Sequence, residues 1–116
     1  MKIISEFLND YLPLVSIVMA VKDTAIYLPE CLDSILAQSY QNWELIAVND
    51  HSTDETPEIL QEYAAKDSRI RVFNSDKPRL IPTLQVAYSK VKGELINRMD
   101  SDDKMPDYKL QVLVEE

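Results

Sequence analysis

Apolar residues are arranged along the chain in two patterns, continuous short runs and helical spacing, and each pattern predicts a different secondary-structure element. The run PLVSIVMA at 13–20 is β-branched and nearly continuously apolar, which is typical of a strand buried on both faces, and WELIAVN at 43–49 predicts a second strand. RIRVFN at 69–74 and GELINRM at 93–99 predict two further strands. Residues 1–12 show no clear period, and we expect a short helix or arm there.

Between these strands, apolar residues recur at helical spacing. The first predicted helix has one apolar face, made of Leu28, Cys31, Leu32, Ile35 and Leu36. A second helix is predicted over 52–66, with Ser52 and Glu55 at the spacing of a capping box. Two more helices are predicted over 80–91 and from Pro106 to Val114.

The alternation of strands and helices predicts an α/β fold: a doubly wound, mainly parallel sheet with helices on both faces. Ligands of such sheets bind beyond the carboxyl ends of the strands, near the reversal of strand order. Polar segments follow all four predicted strands, namely AVKD at 20–23, NDHSTDE at 49–55, NSDKPR at 74–79 and DSDDKMPD at 100–107. The sequence therefore predicts one site at this edge of the sheet.

Composition narrows the class of ligand. The chain has 116 residues, 46% of them hydrophobic, so it can bury the core of one domain. Its net charge of −8 disfavours nucleic acid and anionic membrane surfaces. The single cysteine, Cys31, excludes an internal disulfide and a cysteine-based zinc site. With no long apolar run and acids near its start, the chain is expected to be soluble and cytoplasmic.

Several nucleotide and metal motifs are absent from the sequence. The only glycine is Gly93, which excludes glycine-rich phosphate loops. Lys104, Met105 and Gln111 stand where an EF-hand needs ligands, glycine and glutamate. His51, the one histidine, cannot build a zinc site alone, and we expect it to adopt a turn conformation beside Asp50, with contact to a ligand as the alternative.

Three carboxylates follow the fourth predicted strand: Asp100, Asp102 and Asp103. Like charges this close repel one another unless a cation or hydrogen-bond donors compensate them. Hard carboxylate oxygens suit Mg²⁺ or Mn²⁺, which complete their shells with water and substrate phosphates. The alternative is a solvated turn, in which Asp and Ser cap their own backbone.

Taken together, these motifs resemble the nucleotide-binding half of family 2 glycosyltransferases, which have the GT-A fold. The resemblance rests on PLVSIVMAVKD, YLPECLDSILAQSYQNWELIAVNDHSTDET and GELINRMDSDDKMPD, in this order, and covers residues 13–116. It implies inverting transfer of a sugar from a nucleotide diphospho-sugar to a glycan or other hydroxyl acceptor, and the expected nucleotide of the donor is UDP. It also implies a Mn²⁺ or Mg²⁺ cofactor.

The resemblance assigns roles to individual residues. Nucleotide-sugar binding is expected of Ala20, Val21, Lys22, Asp23, Asp50, Arg79, Asp100, Ser101 and Asp103. Asp50 resembles the acid that contacts the base, and Arg79, or Lys77 as the alternative to it, resembles the basic group near the nucleotide. Asp102 resembles the direct metal ligand, with Asp100 beside it near the ribose.

Two departures from the family pattern bear on function. Many relatives have Tyr-Asn where this chain has Lys22-Asp23, which leaves the identity of the base open. The family's general base normally lies downstream of this point, so no catalytic base is expected in 13–116 and the chain alone is expected to be inactive.

Two other classes of protein remain as alternatives. One is a nucleotide-sugar-binding module without turnover. The other is a receiver-like signalling domain, although the chain lacks that domain's acid pair after the first strand. Expected partners are the donor, the acceptor, a second copy through an exposed sheet edge, and a membrane surface for the full-length enzyme.

Overall fold

A computed structural model describes residues 12–116. The predicted arm at 1–12 lies outside these residues except for Leu12. Four strands alternate with four helices: β1 (Val15–Val21), α1 (Leu28–Leu36), β2 (Trp43–Asn49), α2 (Thr56–Lys66), β3 (Ile70–Asn74), α3 (Leu80–Ser89), β4 (Leu95–Arg98) and α4 (Lys109–Glu115). No helix among the described residues is long and apolar enough to cross a membrane.

The four strands form one parallel sheet in the order β3-β2-β1-β4, which confirms the predicted α/β class. Val15 of β1 pairs with Trp43 of β2 and with Leu95 of β4. The chain moves outward from β1 to β3 and then returns to place β4 on the other side of β1. Strand order therefore reverses beside β1, and all four carboxyl ends meet at one edge.

Hydrophobic side chains pack on both faces of the sheet. The larger cluster joins the sheet to α1, α2 and α4, through residues such as Leu32, Leu60 and Leu110. The smaller one packs Ala87 of α3 against Val18 and other residues of β1 and β2. Burying each large apolar side chain contributes about 1.5–3 kcal/mol. Because β1 and β2 are covered on both faces, their sequences are almost continuously apolar.

Helix α2 begins later than predicted, and the capping-box prediction is wrong. The helix starts at Thr56, and Asp54 Oδ1 accepts the Thr56 amide at 2.9 Å. Ser52 Oγ accepts the amide of Asp23 at 3.0 Å and so bonds another loop. Glu55 makes no side-chain capping bond. The two residues have capping-box spacing, but the tertiary contact with Asp23 takes Ser52 away from the helix.

The last helix also begins later than predicted, at Lys109 rather than Pro106. The Pro106 carbonyl accepts hydrogen bonds from the Lys109 amide at 3.1 Å and from Gln38 Nε2 at 2.6 Å. Residues 106–108 therefore form a turn that is held against the end of α1.

A polar cluster fixes the amino-terminal side of the sheet. Glu44 Oε2 accepts hydrogen bonds from Ser16 Oγ at 2.6 Å and from the Lys92 amide at 2.8 Å. Arg71 Nη1 donates to Glu44 Oε1 at 2.9 Å, and the Gly93 amide donates to Ser16 Oγ at 2.8 Å. A Cβ on Gly93 would lie 2.5 Å from the backbone carbonyl oxygen of Leu14 and 2.5 Å from Ser16 Oγ, so the entry to β4 requires glycine.

Candidate functional site

A cavity of about 290 Å³ opens where β1 and β2 end. It is lined by Ala20, Val21, Lys22, Asp50, Arg79 and Leu80. All but Leu80 are residues that the sequence predicted for nucleotide-sugar binding, and the fold brings them together from three separate segments. Leu80 was missed because its apolar side chain fits the pattern of a helix face equally well.

Asp50 is the acid of this cavity, and its carboxylate is almost fully buried. Its Oδ1 lies 3.0 Å from His51 Nδ1, and its Oδ2 accepts the Arg79 amide at 3.2 Å. The Asp50 amide donates to the Val21 carbonyl at 2.8 Å. Asp50 therefore links the ends of β1 and β2 to the loop before α3, and these contacts fix the position of its carboxylate beside the cavity.

The loops around this cavity contain unusual backbone conformations. Asp23, His51 and Arg79 have positive φ angles of 49°, 53° and 87° without being glycine. Asp and His tolerate the left-handed region better than most residues, which agrees with the turn conformation expected for His51. Arg79, with φ 87° and ψ 163°, occupies a region that is essentially restricted to glycine.

Two of the predicted binding residues, Asp23 and Ser101, form hydrogen bonds that connect the loops. Asp23 Oδ1 accepts the amides of Thr53 at 2.7 Å and Asp54 at 3.3 Å, which joins the loops after β1 and β2. The Ser101 side chain is buried, and its Oγ accepts a hydrogen bond from Thr24 Oγ1 at 3.0 Å. Neither residue lines the cavity beside Asp50.

Asp54 is a further organising residue, which sequence reasoning did not single out. In addition to the Thr56 amide, its carboxylate accepts the Ala25 amide at 3.1 Å. Hydrogen bonding from Thr56 is the main reason that the pKa of Asp54 lies below its usual value. An Asp just ahead of a helix is a capping signal, and that signal could have identified it.

The acidic loop lies at the same edge, after β4. Carboxylate oxygens of Asp100, Asp102 and Asp103 all lie within 4.8 Å of one another, and the three side chains are exposed. The Met99 amide donates to the Val18 carbonyl at 3.0 Å, which anchors the start of this loop to β1. A set of oxygen donors only, open to solvent, fits a hard divalent cation that keeps water or phosphate oxygens in its shell.

The negative charge of the acidic loop contributes to a raised pKa of the buried Cys31 thiol. Burial, followed by the charges of Asp103 and Asp102, raises the pKa of the Cys31 thiol to about 12. Its Sγ lies 3.7 Å from the Asp100 carbonyl oxygen, to which it donates a weak hydrogen bond. Cys31 is therefore a protonated structural thiol, and its position places the first turn of α1 against the acidic loop.

A second cavity, of about 340 Å³, adjoins the acidic loop. It is lined by Arg98, Met99, Asp100, Asp103, Lys104, Met105 and Lys109, and it shares no lining residue with the cavity beside Asp50. Lys77, the alternative to Arg79 in the sequence prediction, lines another pocket, and its carbonyl accepts a hydrogen bond from Ser75 Oγ at 2.6 Å. Of these two basic residues, Arg79 is the one beside Asp50.

A cavity at the carboxyl edge of an open parallel sheet, with a cluster of carboxylates at the same edge, is typical of α/β domains that bind nucleotides. The sequence profile of the family described as glycosyl transferase family 2 matches residues 16–116. The chain belongs to this family of glycosyltransferases.

Individual relatives agree with this assignment. Glycosyltransferase GlyG of Streptococcus pneumoniae is 36% identical over 104 residues, which cover 89% of this chain and 35% of GlyG. The crystal structure of Staphylococcus aureus TarS 1–349 with UDP matches with a TM-score of 0.78 at 25% identity, over 87% of this chain and 31% of TarS 1–349.

A second solved structure is the mannosyltransferase PcManGT from Pyrobaculum calidifontis, in complex with GDP-Man and Mn²⁺. It matches with a TM-score of 0.72 at 25% identity, over 83% of this chain and 29% of PcManGT. The fold is therefore that of the GT-A glycosyltransferases. The chain spans about a third of the length of the curated relatives it matches.

Proposed function

We propose that this chain is the donor-binding part of an inverting glycosyltransferase that takes its sugar from a nucleotide diphospho-sugar, with UDP as the nucleotide. The observation that carries this proposal is the position of the cavity beside Asp50 at the same sheet edge as the acidic loop. A nucleoside in the cavity and a diphosphate at the loop would use both features at once. The UDP bound to TarS and the GDP-Man bound to PcManGT support this class of donor.

In this proposal the nucleoside occupies the cavity beside Asp50. The Asp50 carboxylate, held by the Arg79 amide, accepts a hydrogen bond from the base. Lys22 and Arg79 also line the cavity, and neither side chain forms an ion pair within residues 12–116. Their charges remain available to the nucleotide, which is needed in a chain of net charge −8.

The acidic loop is proposed to hold the cofactor, Mn²⁺ or Mg²⁺, through Asp102 and Asp100. Such an ion would stabilise the negative charge that develops on the departing diphosphate, acting as a Lewis acid. Asp100 also lies near the ribose in this arrangement, and Asp103 orients the donor sugar. The oxygen-only donor set supports this assignment, as does the Mn²⁺ in the PcManGT structure.

The acceptor is proposed to be a glycan or another hydroxyl compound, in the synthesis of a cell-wall or other polysaccharide. A relative from Bacillus subtilis that is 33% identical is named as a glycosyltransferase of teichuronic acid biosynthesis, TuaG. Transfer needs a general base to deprotonate the acceptor, and we assign that role to no residue within 12–116.

Donor binding without turnover is the second candidate function. It is favoured by the fraction of the relatives' length that this chain spans, about a third. A turnover assay with UDP-sugars and glycan acceptors separates the two, because a binding module would retain donor affinity and release no UDP.

Isothermal titration calorimetry tests the proposed donor site. UDP should bind the chain in the presence of Mn²⁺ or Mg²⁺ and lose its affinity in EDTA, because the net charge of −8 offers the diphosphate little else. Uridine serves as the control ligand, since its binding needs no metal. Equal affinity for UDP in EDTA would contradict the proposal.

The variant Asp50→Ala tests the proposed contact with the base in the same experiment. It should weaken uridine and UDP by the same factor, because a contact with the base is independent of the metal. Weaker binding of UDP alone would place Asp50 in the metal site instead.

A further inference from the structure

Basic side chains are concentrated in the cavity that adjoins the acidic loop. Arg98, Lys104 and Lys109 line this space together with Asp100 and Asp103. The chain has only twelve Lys and Arg residues against twenty acids, so three basic side chains around one cavity of about 340 Å³, beside two acids, are a local concentration of basic groups. The mechanism proposed above uses none of them.

These three cations are weakly paired. Arg98 Nη2 lies 4.0 Å from Asp100 Oδ1, and Lys104 Nζ lies 3.7 Å from Glu30 Oε1, with all four side chains about half exposed or more. Exposed ion pairs of this length contribute little. The Lys109 ammonium group has no ion pair with any residue of 12–116. Elsewhere, Arg69 and Arg71 are held at 2.7 Å and 2.9 Å from their carboxylate partners.

The backbone that carries these cations is fixed by buried polar contacts. Gln38, only 1% exposed, donates through Nε2 to the carbonyls of Pro106 at 2.6 Å and Met105 at 3.4 Å. Its Oε1 accepts the Leu110 amide at 3.1 Å, and Ser34 Oγ accepts the Met105 amide at 2.9 Å. The segment between Lys104 and Lys109 is therefore bound to α1, which makes the cavity preorganised.

The charge balance of this cavity changes when the acidic loop binds a divalent cation, a step that rests on the proposed function. The cation, held by Asp102 and Asp100, compensates the carboxylate that lies nearest Arg98, and Arg98 and Lys109 are then left without a counter-charge among residues 12–116, while Lys104 keeps only its long contact with Glu30. We propose that Arg98, Lys104 and Lys109 form a binding site for an oxyanion of the donor. That group is the terminal phosphate of the nucleoside diphosphate or an acidic group on the sugar it carries.

The position of the cavity supports this choice. It shares Asp100 and Asp103 with the acidic loop and no lining residue with the cavity beside Asp50, so it adjoins the position proposed for the diphosphate and not the position proposed for the base. A group bound there belongs to the part of the donor that follows the nucleoside. Phosphate and carboxylate share the chemistry that Lys and Arg recognise, and a series of ligands distinguishes them.

The test measures the affinity of UMP, UDP, UDP-glucose and UDP-glucuronate by calorimetry in the presence of Mn²⁺. Lys109→Gln and Arg98→Gln should each weaken the ligands that carry the recognised oxyanion by about fivefold to tenfold, and leave UMP unchanged. Lys92→Gln is the control, because Lys92 is also exposed but lies before β4, at the opposite edge of the sheet. Melting temperatures should match the wild type, since the substituted side chains are exposed.

Each pattern of results has a definite meaning. If the variants lose affinity for UDP and both UDP-sugars but not for UMP, the recognised group is the terminal phosphate. If they lose affinity for UDP-glucuronate alone, it is an acidic group on the sugar. Both results support the site. Variants that match Lys92→Gln for every ligand, or that weaken UMP equally, overturn it while leaving the proposed function intact. Failure of the wild type to bind UDP would contradict the proposed function, and this site with it.

Discussion

Arg79 occupies a backbone conformation that glycine would adopt more easily, and it does so beside the cavity. Such a conformation costs about 1–3 kcal/mol in a residue other than glycine. In return, the Arg79 amide points at Asp50 Oδ2, and the side chain remains at the cavity. Asp23 and His51, which are also not glycine, adopt positive φ angles in the loops at the same edge. The strained backbone of Arg79 therefore supplies one of the hydrogen bonds that position the Asp50 carboxylate.

Also at the residue scale, the three acids of the loop are expected to differ in their effect on binding. Asp102→Asn should abolish metal-dependent binding of UDP, because it removes the proposed direct ligand. Asp100→Asn should weaken binding less, since an amide still meets a ribose hydroxyl, and Asp103→Asn should have the smallest effect. Thermal melts with and without Mn²⁺ and UDP measure the stabilisation by ligand in each variant.

The fold itself should tolerate all three substitutions. The side chains are exposed, and removing one of three neighbouring like charges relieves repulsion in the free protein. Equal stabilisation of the three variants by ligand would mean that the acidic loop is a solvated turn.

At the scale of elements, the sequence predicted what depends on burial and missed what depends on contacts between distant segments. β1 and β2 were predictable because both faces are covered, so that apolar residues are almost continuous. β4 has only four residues, and its edge position leaves alternate residues exposed. The hydrogen bonds from the Asp23 amide to Ser52 Oγ and from Thr24 Oγ1 to Ser101 Oγ join residues that are 29 and 77 positions apart in the sequence. No local pattern encodes them, so the roles of Asp23 and Ser101 as loop connectors could not be predicted.

The polar cluster around Glu44, at the amino-terminal side of the sheet, leads to a prediction about the pH dependence of stability. Burial raises the pKa of Glu44, but hydrogen bonds from Ser16, Lys92 and Arg71 outweigh this effect, so the net pKa is lowered. A lowered pKa means that Glu44 stabilises the fold above its unfolded value of about 4.3, and that this stabilisation is lost as pH falls through the folded value. Glu44→Gln should therefore cost about 1–3 kcal/mol at neutral pH and make stability less dependent on pH in the acid range.

Urea unfolding at neutral pH and at several values below pH ~5 measures both effects. Glu58→Gln is the matched control, because Glu58 is exposed on α2. A variant at Glu44 that lost stability in parallel with the wild type as pH falls would show that the cluster is not linked to acid unfolding.

At the scale of the whole molecule, net charge and sheet topology have opposite effects on the association of two copies of the chain. Within residues 12–116, β4 pairs with β1 on one side and with no strand on the other, so one row of its backbone groups is open. An open edge favours pairing with another strand. The net charge of −8 opposes association between two copies. The proposed homodimer through β4 should therefore depend on ionic strength.

Self-association is expected to strengthen as salt screens this repulsion, since the Debye length falls from about 10 Å at 0.1 M to about 3 Å at 1 M. Ile96→Lys should abolish it, because Ile96 is 47% exposed on the edge strand and a charge there disfavours pairing. Ile26→Lys is the control, since Ile26 is 87% exposed but lies in the loop before α1. Sedimentation equilibrium at both salt concentrations measures the association. A chain that stayed monomeric throughout, or two variants with the same effect, would contradict dimerisation through β4.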